Sequence, residues 1–164
     1  MEERLFENMD IRTALLGFGA MRLPLDGKGA IDRTEAEKML DLAYENVAKP
    51  CLHITGTADN SIVGTTQASQ RRLPFDHTFG ADQYLVTFYG ADHMVYAGHL
   101  RAANGTHDAM YQHRIAECSA VFWDAYLKAI PGAKAWLTGD GMRDRLQTTA
   151  RVERKLADDR TAER

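Results

Sequence analysis

Two residues whose types suit acid–base chemistry follow two predicted strands of this sequence. Asp59 comes after an apolar stretch that begins at Cys51, and His93 comes after a second such stretch at 84–89. In an open parallel sheet, ligands bind beyond the carboxyl ends of the strands. A carboxylate beside an imidazole fixes its tautomer and stabilises the imidazolium, which is the acid–base half of a catalytic triad. The spacing makes this pairing no more than a hypothesis, because Asp and His are also common in ordinary loops.

The elements that must position these residues form a small α/β unit. The segment CLHIT at 51–55 is apolar on both parities, which is typical of a strand covered on both faces. Residues 84–89 are the strongest predicted strand, and residues 64–83 before it have the composition of a loop. A long amphipathic helix is predicted over 108–130, ending at Pro131-Gly132, with a further helical stretch at 133–137.

The two ends of the chain give weaker patterns. A short strand is predicted near 14–17, followed by a glycine-containing turn. A helix is predicted over 32–46, where both Asp32/Glu35 and Thr34/Glu37 have capping-box spacing. The segment at 147–164 carries mixed charges and little to bury, so we expect a charged tail that is a solvated helix or disordered.

Composition excludes several classes of function. The 164 residues are 45% hydrophobic and 26% charged, which fits one ordinary globular domain. The net charge of -3 gives no reason to expect nucleic acid or an anionic membrane surface as a partner. Apolar runs are too short to span a bilayer, and the charged start lacks the apolar region of a signal peptide. Two cysteines make no disulfide framework, so the expected location is cytoplasmic.

Several segments in order resemble the C-terminal part of an α/β-hydrolase. They are LHITGTADNS, RRLPFDHTFGADQYLVTF, YGADHMVYAG and FWDAYLKAIPGAKAWL, within residues 48–146. They are most similar to dienelactone-hydrolase-like and platelet-activating-factor-acetylhydrolase-like esterases. The resemblance implies that Asp59 in GTADNS is the triad acid and that His93 in GADHMV is the triad base. It also implies a small ester as substrate.

The sequence departs from that family at the nucleophile. The family carries a serine on a G-x-S-x-G turn, upstream of the acid. Here the serines are Ser61, Ser69 and Ser119, and none of them lies in such a motif. The segment that would supply the oxyanion hole is also missing. Ser61 lies two residues from Asp59, so a hydrogen bond to the acid is the simpler expectation for it.

Residues 1–47 resemble a different family. LLGFGAMRLPL followed by IDRTEAEKMLDLAYEN is similar to the N-terminal βα unit of an aldo/keto reductase. The resemblance implies that Gly19, Ala20 and Met21 match a segment near the nicotinamide. It ends before any catalytic residue of that family, and the glycines at 17 and 19 do not complete a dinucleotide fingerprint. We therefore expect no cofactor.

Other groupings favour structural roles. His99, His107 and His113 could share a metal, but the six-residue spacing of the last two does not place them on one helix face, so we expect no metal. Cys118 fits a core thiol, and Cys51 begins a buried strand with no activating neighbour. Arg71-Arg72 could meet an anion, although an exposed loop is the simpler explanation.

The expected fold is a partial α/β-hydrolase-type sheet, of few and mostly parallel strands, with flanking helices and an N-terminal βα unit. The chain reads as a fusion of two truncated α/β proteins, with the junction near 46–48. We expect an ester-hydrolase fragment that is weakly active or inactive alone. The alternatives are a non-catalytic interaction module and a nicotinamide-binding reductase remnant. Exposed sheet edges predict a homo-oligomer or a complementing chain.

Overall fold

A computed structural model describes residues 3–6, 11–14, 26–30, 32, 34–36, 38, 42, 44, 47–61, 65–97 and 105–157. The chain divides into two compact units, Met1–Leu40 and Asp41–Arg164. The division falls a few residues before the junction that the two resemblances suggest. None of the helices in these ranges combines the length and apolar character needed to cross a membrane.

The first unit contains an antiparallel hairpin and a helix start. Strands β1 (Glu3–Phe6) and β2 (Ile11–Ala14) pair from Glu3↔Ala14 to Phe6↔Ile11. β2 ends where the sequence predicts a strand to begin, and residues 15–17 lie outside the described ranges. The predicted helix over 32–46 is confirmed at 34–36, 38, 42 and 44. Asp32 caps it, because its carboxylate accepts the amide of Glu35 at 3.1 Å.

The second unit is a three-stranded mixed sheet with flanking helices, an α/β arrangement in the broad sense. Its elements are β3 (Cys51–Ala58), a 3-10 helix (Ala68–Arg72), α1 (Leu73–His77), β4 (Gln83–Asp92), a second 3-10 helix (His93–Ala97), α2 (Gly105–Tyr126), α3 (Pro131–Thr138), α4 (Gly141–Leu146) and β5 (Ala150–Lys155). The strand order is β3-β4-β5, with β3 parallel and β5 antiparallel to β4. The sheet is therefore mixed rather than mostly parallel, because the short link from α4 returns the chain to the free edge of β4.

The core lies between one face of the sheet and the helices α2, α3 and α4. β4 sends Tyr84, Val86 and Phe88 into it, and each of these side chains is completely buried. Fully burying such an apolar side chain contributes roughly 1.5–3 kcal/mol. Helix α2 supplies Cys118 and Phe122 at the spacing that its sequence pattern predicts. The predicted helix over 108–130 thus exists, although it ends at Tyr126 and Pro131 begins α3.

Two predictions for loops and tails are wrong. Residues 64–83 include the 3-10 helix and α1, and Pro74 sits in the first turn of α1, where its missing N–H removes no helical bond. Within the predicted charged tail, residues 150–155 form β5. Two of its charged side chains bind the segment 72–75, since Arg72 contacts Glu153 and Lys155 donates to the carbonyl of Phe75. Charged side chains on an edge strand are a common protection against unwanted pairing.

A hydrogen-bonded cluster of polar side chains, which we call the Asp82 cluster, lies at the end of the sheet where β4 begins. It consists of Asp82, Tyr84, Tyr126 and Lys134. The carboxylate of Asp82 accepts from Lys134 Nζ at 2.5 Å, from the Tyr126 hydroxyl at 2.7 Å and from the amide of Ala157 at 2.9 Å. Burial opposes ionisation of Asp82, but these donors outweigh it and hold its pKa below the usual range. The cluster ties α2 and α3 to the sheet.

Candidate active site

The loops after β3 and β4 bring the two predicted site residues together. β3 and β4 are parallel, with Cys51 opposite Gln83 and Ala58 opposite Asp92. Their carboxyl ends therefore lie side by side at the same end of the sheet. Asp59 follows the last residue of β3, and His93 follows the last residue of β4. The His93 Nδ1 atom lies 2.9 Å from Asp59 Oδ1. The contact that strand order suggests is therefore present.

A glycine in β3 makes this approach possible. The register between β3 and β4 shifts between Gly56 and Ala58, and this irregularity leads the chain into Asp59. The backbone of Gly56 lies directly against the carbonyl of Ala91. A Cβ atom at residue 56 would overlap that carbonyl, so only glycine fits there. The close approach sets how near the loops carrying Asp59 and His93 lie.

Asp59 is buried and its carboxylate is held on both oxygens. The residue is 4% exposed, and the Thr55 hydroxyl donates to Oδ2 at 2.9 Å. Arg71 Nε donates to the Asp59 carbonyl at 3.1 Å and lies 3.6 Å from Oδ1. A buried carboxylate requires such partners to stay ionised. Arg71 is thus part of a 3-10 helix beside the candidate site, which corrects its interpretation as an exposed loop residue.

The His93 ring contacts the buried Asp59 carboxylate on one side and solvent on the other, and its side chain is 48% exposed. An ionised carboxylate can only accept hydrogen bonds, so the proton between Asp59 and His93 lies on Nδ1 in the neutral imidazole. Nε2 then carries the lone pair that can accept a proton from a substrate or nucleophile. Asp59 compensates the positive charge when the ring becomes an imidazolium. Such an arrangement is able to act as a general base with an orienting acid.

Tyr96 adds a buried hydroxyl to this region. It lies on the 3-10 helix that His93 begins, and its hydroxyl oxygen has no hydrogen-bond partner among the residues that the structure describes. Burial raises the pKa of Tyr96 well above its ordinary value, and the nearby negative charge of Asp59 adds to the increase. The phenol therefore stays protonated and keeps its capacity to donate.

The three serines have other surroundings in the structure. The Ser61 amide donates to the carbonyl of Thr66, Ser69 lies in the first 3-10 helix, and Ser119 lies on α2. Within the described part of the chain, no serine is within hydrogen-bond distance of the His93 ring. The hydroxyl nucleophile that the hydrolase resemblance leads one to seek is therefore not found among these residues.

The cysteines do not replace it. Burial raises the pKa of the Cys118 thiol to about 11, which keeps it protonated within the core. Burial also raises the pKa of Cys51, which begins β3 at the edge of the sheet opposite to His93. Neither thiol has the lowered pKa of an activated nucleophile.

The remaining ligand candidates fall partly outside the described ranges. His99 lies outside them, as do Gly19, Ala20 and Met21, which the reductase resemblance places near a nicotinamide. His107 and His113 lie on α2. Across the described ranges, no group of three or more metal-ligating side chains comes together.

Sequence analysis found the acid and the base but missed their supports. Thr55 precedes Asp59 by four residues within the same strand-and-loop segment, yet its hydroxyl could equally have faced solvent. Arg71 reaches Asp59 through tertiary folding, which no local pattern indicates. Tyr96 shares the 3-10 helix that His93 begins, but no sequence pattern distinguishes its hydroxyl. In comparisons with known proteins, no family model, curated protein or solved structure matches this chain.

Proposed function

We propose that this chain carries the acid–base half of an ester-hydrolysing site, with Asp59 as orienting acid and His93 as general base. The observation that carries the proposal is the 2.9 Å contact between His93 Nδ1 and the buried Asp59 carboxylate. The segments GTADNS and GADHMV, which resemble the acid and base motifs of α/β-hydrolases, support the same roles. The chemical class proposed for the substrate is a small carboxylic ester.

The proposed chemistry begins at His93 Nε2. This atom accepts a proton from a hydroxyl group while the hydroxyl oxygen attacks the ester carbonyl. The tetrahedral intermediate then collapses, the bond to the leaving oxygen breaks, and the imidazolium returns the proton to the leaving alcohol. Water acts as the attacking hydroxyl in the chain alone. A positioned general base contributes roughly 10²–10⁴-fold, so we expect slow hydrolysis of activated esters only.

The test is the initial rate of nitrophenyl acetate hydrolysis by the full chain. His93→Ala should reduce the rate to that of buffer, and Asp59→Asn should remove most of it because the amide cannot stabilise the imidazolium. The matched control is His107→Ala, since His107 is an exposed histidine on α2 and should leave the rate unchanged. Equal rates in His93→Ala and the parent chain would refute the proposed role.

A second candidate function, an interaction module, is favoured by the outer edge of β3. Within the described ranges, β3 is an edge strand of the sheet. Beside it lies an apolar groove of about 270 Å³, lined by Pro50, Cys51, Leu52, Ile54, Ser119, Phe122 and Trp123. We propose a second copy of this chain as its occupant, because a free strand edge pairs readily with an identical one.

Sedimentation equilibrium tests this second candidate. The parent chain should form a dimer, and Trp123→Glu should shift it to monomer because Trp123 is 52% exposed at the groove. The control is Leu127→Glu, since Leu127 is an exposed apolar residue of the same region that does not line the groove. A monomeric parent chain, or equal loss of dimer in both variants, would contradict it.

A further inference from the structure

A cleft of about 360 Å³ lies on the face of the sheet opposite to the core. Its floor includes one row of paired residues across all three strands, in which Thr55 lies opposite Thr87 and Thr87 lies opposite Arg151. The 3-10 helix Ala68–Arg72 forms part of its wall. This volume falls in the lower part of the range for small-molecule sites, roughly 300–1,000 Å³.

The cleft combines apolar surface with hydroxyl groups. They belong to Thr55, Thr57, Ser69, Thr87 and Tyr89. The Thr57 hydroxyl accepts the Gly90 amide at 2.8 Å and can still donate. The hydroxyls of Ser69 and Thr87 form no hydrogen bond with any other described residue, so both can donate to and accept from a ligand.

The charged groups at the rim neutralise one another. Arg72 binds the Asp76 carboxylate through two nitrogens, at 2.8 and 3.0 Å, and also contacts both oxygens of Glu153 at 3.2 Å. Arg151 donates to Glu153 at 3.0 Å. Two guanidinium groups thus face two carboxylates, and the arrangement has no net charge with which to attract an ion. It still offers hydrogen-bond donors and acceptors.

We propose that this cleft binds a small neutral carbohydrate, a monosaccharide or a related polyol. Ligand hydroxyls match Ser69 and Thr87, which can donate and accept alike, and the exposed ring of Tyr89 offers an apolar surface for C–H groups. An apolar ligand would displace water from these hydroxyls without replacing its hydrogen bonds, and a simple anion would meet Glu153 as well as the arginines. The inference is independent of ester hydrolysis.

The experiment is a titration of the full chain with methyl glucopyranoside, followed through backbone amide chemical shifts. We expect saturable shifts at Thr55, Thr87 and Arg151. Thr87→Val preserves the shape and branching of the side chain but removes its hydroxyl, and should weaken binding about fivefold, the effect of losing one hydrogen bond. Ser69→Ala, at an exposed position that places no demand on folding, should weaken binding to a similar degree.

Two controls separate this inference from its alternatives. Thr138→Val removes a hydroxyl on α3, outside the cleft, and His93→Ala removes the proposed general base; both should bind the glucoside as the parent chain does. Inorganic phosphate should cause no shift at the cleft. The inference is overturned if shifts are linear and do not saturate, if phosphate alone saturates them, or if Thr87→Val and Ser69→Ala bind as well as the parent chain.

Discussion

A buried carboxylate, Asp59, and a partly buried one, Asp82, lie at opposite ends of the β3–β4 pair, and their partners differ in kind. Asp82, before β4, is bound by an ammonium, a phenol and a backbone amide. Asp59, after β3, shares one oxygen with the half-exposed imidazole of His93. Lysine and tyrosine keep their protons near neutral pH, whereas an imidazole exchanges its proton there. An aspartate thus stabilises the fold at one end of the strand pair. At the other end, an aspartate contacts an imidazole that is able to transfer protons.

The largest expected effect concerns the close approach of the backbones of β3 and β4 at Gly56, near the loop that carries Asp59. Gly56→Ala places a methyl group against the Ala91 carbonyl, so the free energy of unfolding should fall by about 3 kcal/mol. Urea denaturation measures this. Gly132→Ala is the matched control, because an added Cβ there meets nothing, and it should leave stability unchanged or slightly higher. Equal stabilities of the two variants would show that the approach is not tight.

The next effect separates the two carboxylates directly. Asp82→Asn removes the charge that holds Lys134 and Tyr126, and should lower the free energy of unfolding by about 2 kcal/mol while leaving ester hydrolysis unchanged. Asp59→Asn should remove most of the hydrolysis, because the amide cannot stabilise the imidazolium. Asp140→Asn, at an exposed ion pair, should change neither property. Loss of hydrolysis in Asp82→Asn would remove the distinction between the two ends.

A second histidine sharpens the comparison through pH. His53 binds Gln83 at 2.8 Å, and burial lowers its pKa in the folded chain. The unfolded chain therefore takes up a proton at His53 first, so stability should fall as the pH drops below about 6.5, by up to about 1.4 kcal/mol per pH unit. In His53→Gln this part of the acid sensitivity should disappear, whereas His107→Gln should retain it. Identical pH profiles in the parent chain and His53→Gln would contradict the burial argument.

The smallest expected effect concerns the support of Asp59. Thr55→Val keeps the branched shape suited to a strand but removes the donor to Oδ2, and should cost about 1 kcal/mol of stability. Ester hydrolysis should decrease less than in Asp59→Asn, since His93 still contacts Oδ1. Thr138→Val, whose hydroxyl bonds only within its own helix, serves as control. Full loss of hydrolysis in Thr55→Val would mean that Thr55 acts on more than the carboxylate.

The sequence predicts β3, β4 and α2 because their patterns are local. Short apolar runs identify β3 and β4, and apolar residues three or four apart identify the buried face of α2. The contact between Asp59 and His93 follows from parallel strand ends. β5 was not predicted because its charged residues have the composition of a solvated tail. Its pairing with β4 and the contact between Glu153 and Arg72 exist only in the folded chain. The roles of Thr55 and Arg71 were not predicted, because only the folded chain shows that their side chains contact Asp59.

The central claim is that Asp59 orients His93 for proton transfer at Nε2. The most direct test is the tautomer of His93, read from nitrogen-15 NMR at a pH where the ring is neutral. The account predicts the Nδ1–H tautomer in the parent chain, with that preference reduced or lost in Asp59→Asn. A parent chain that carries its proton on Nε2 would contradict the account, because the basic nitrogen would then face Asp59 and no proton acceptor would face the substrate.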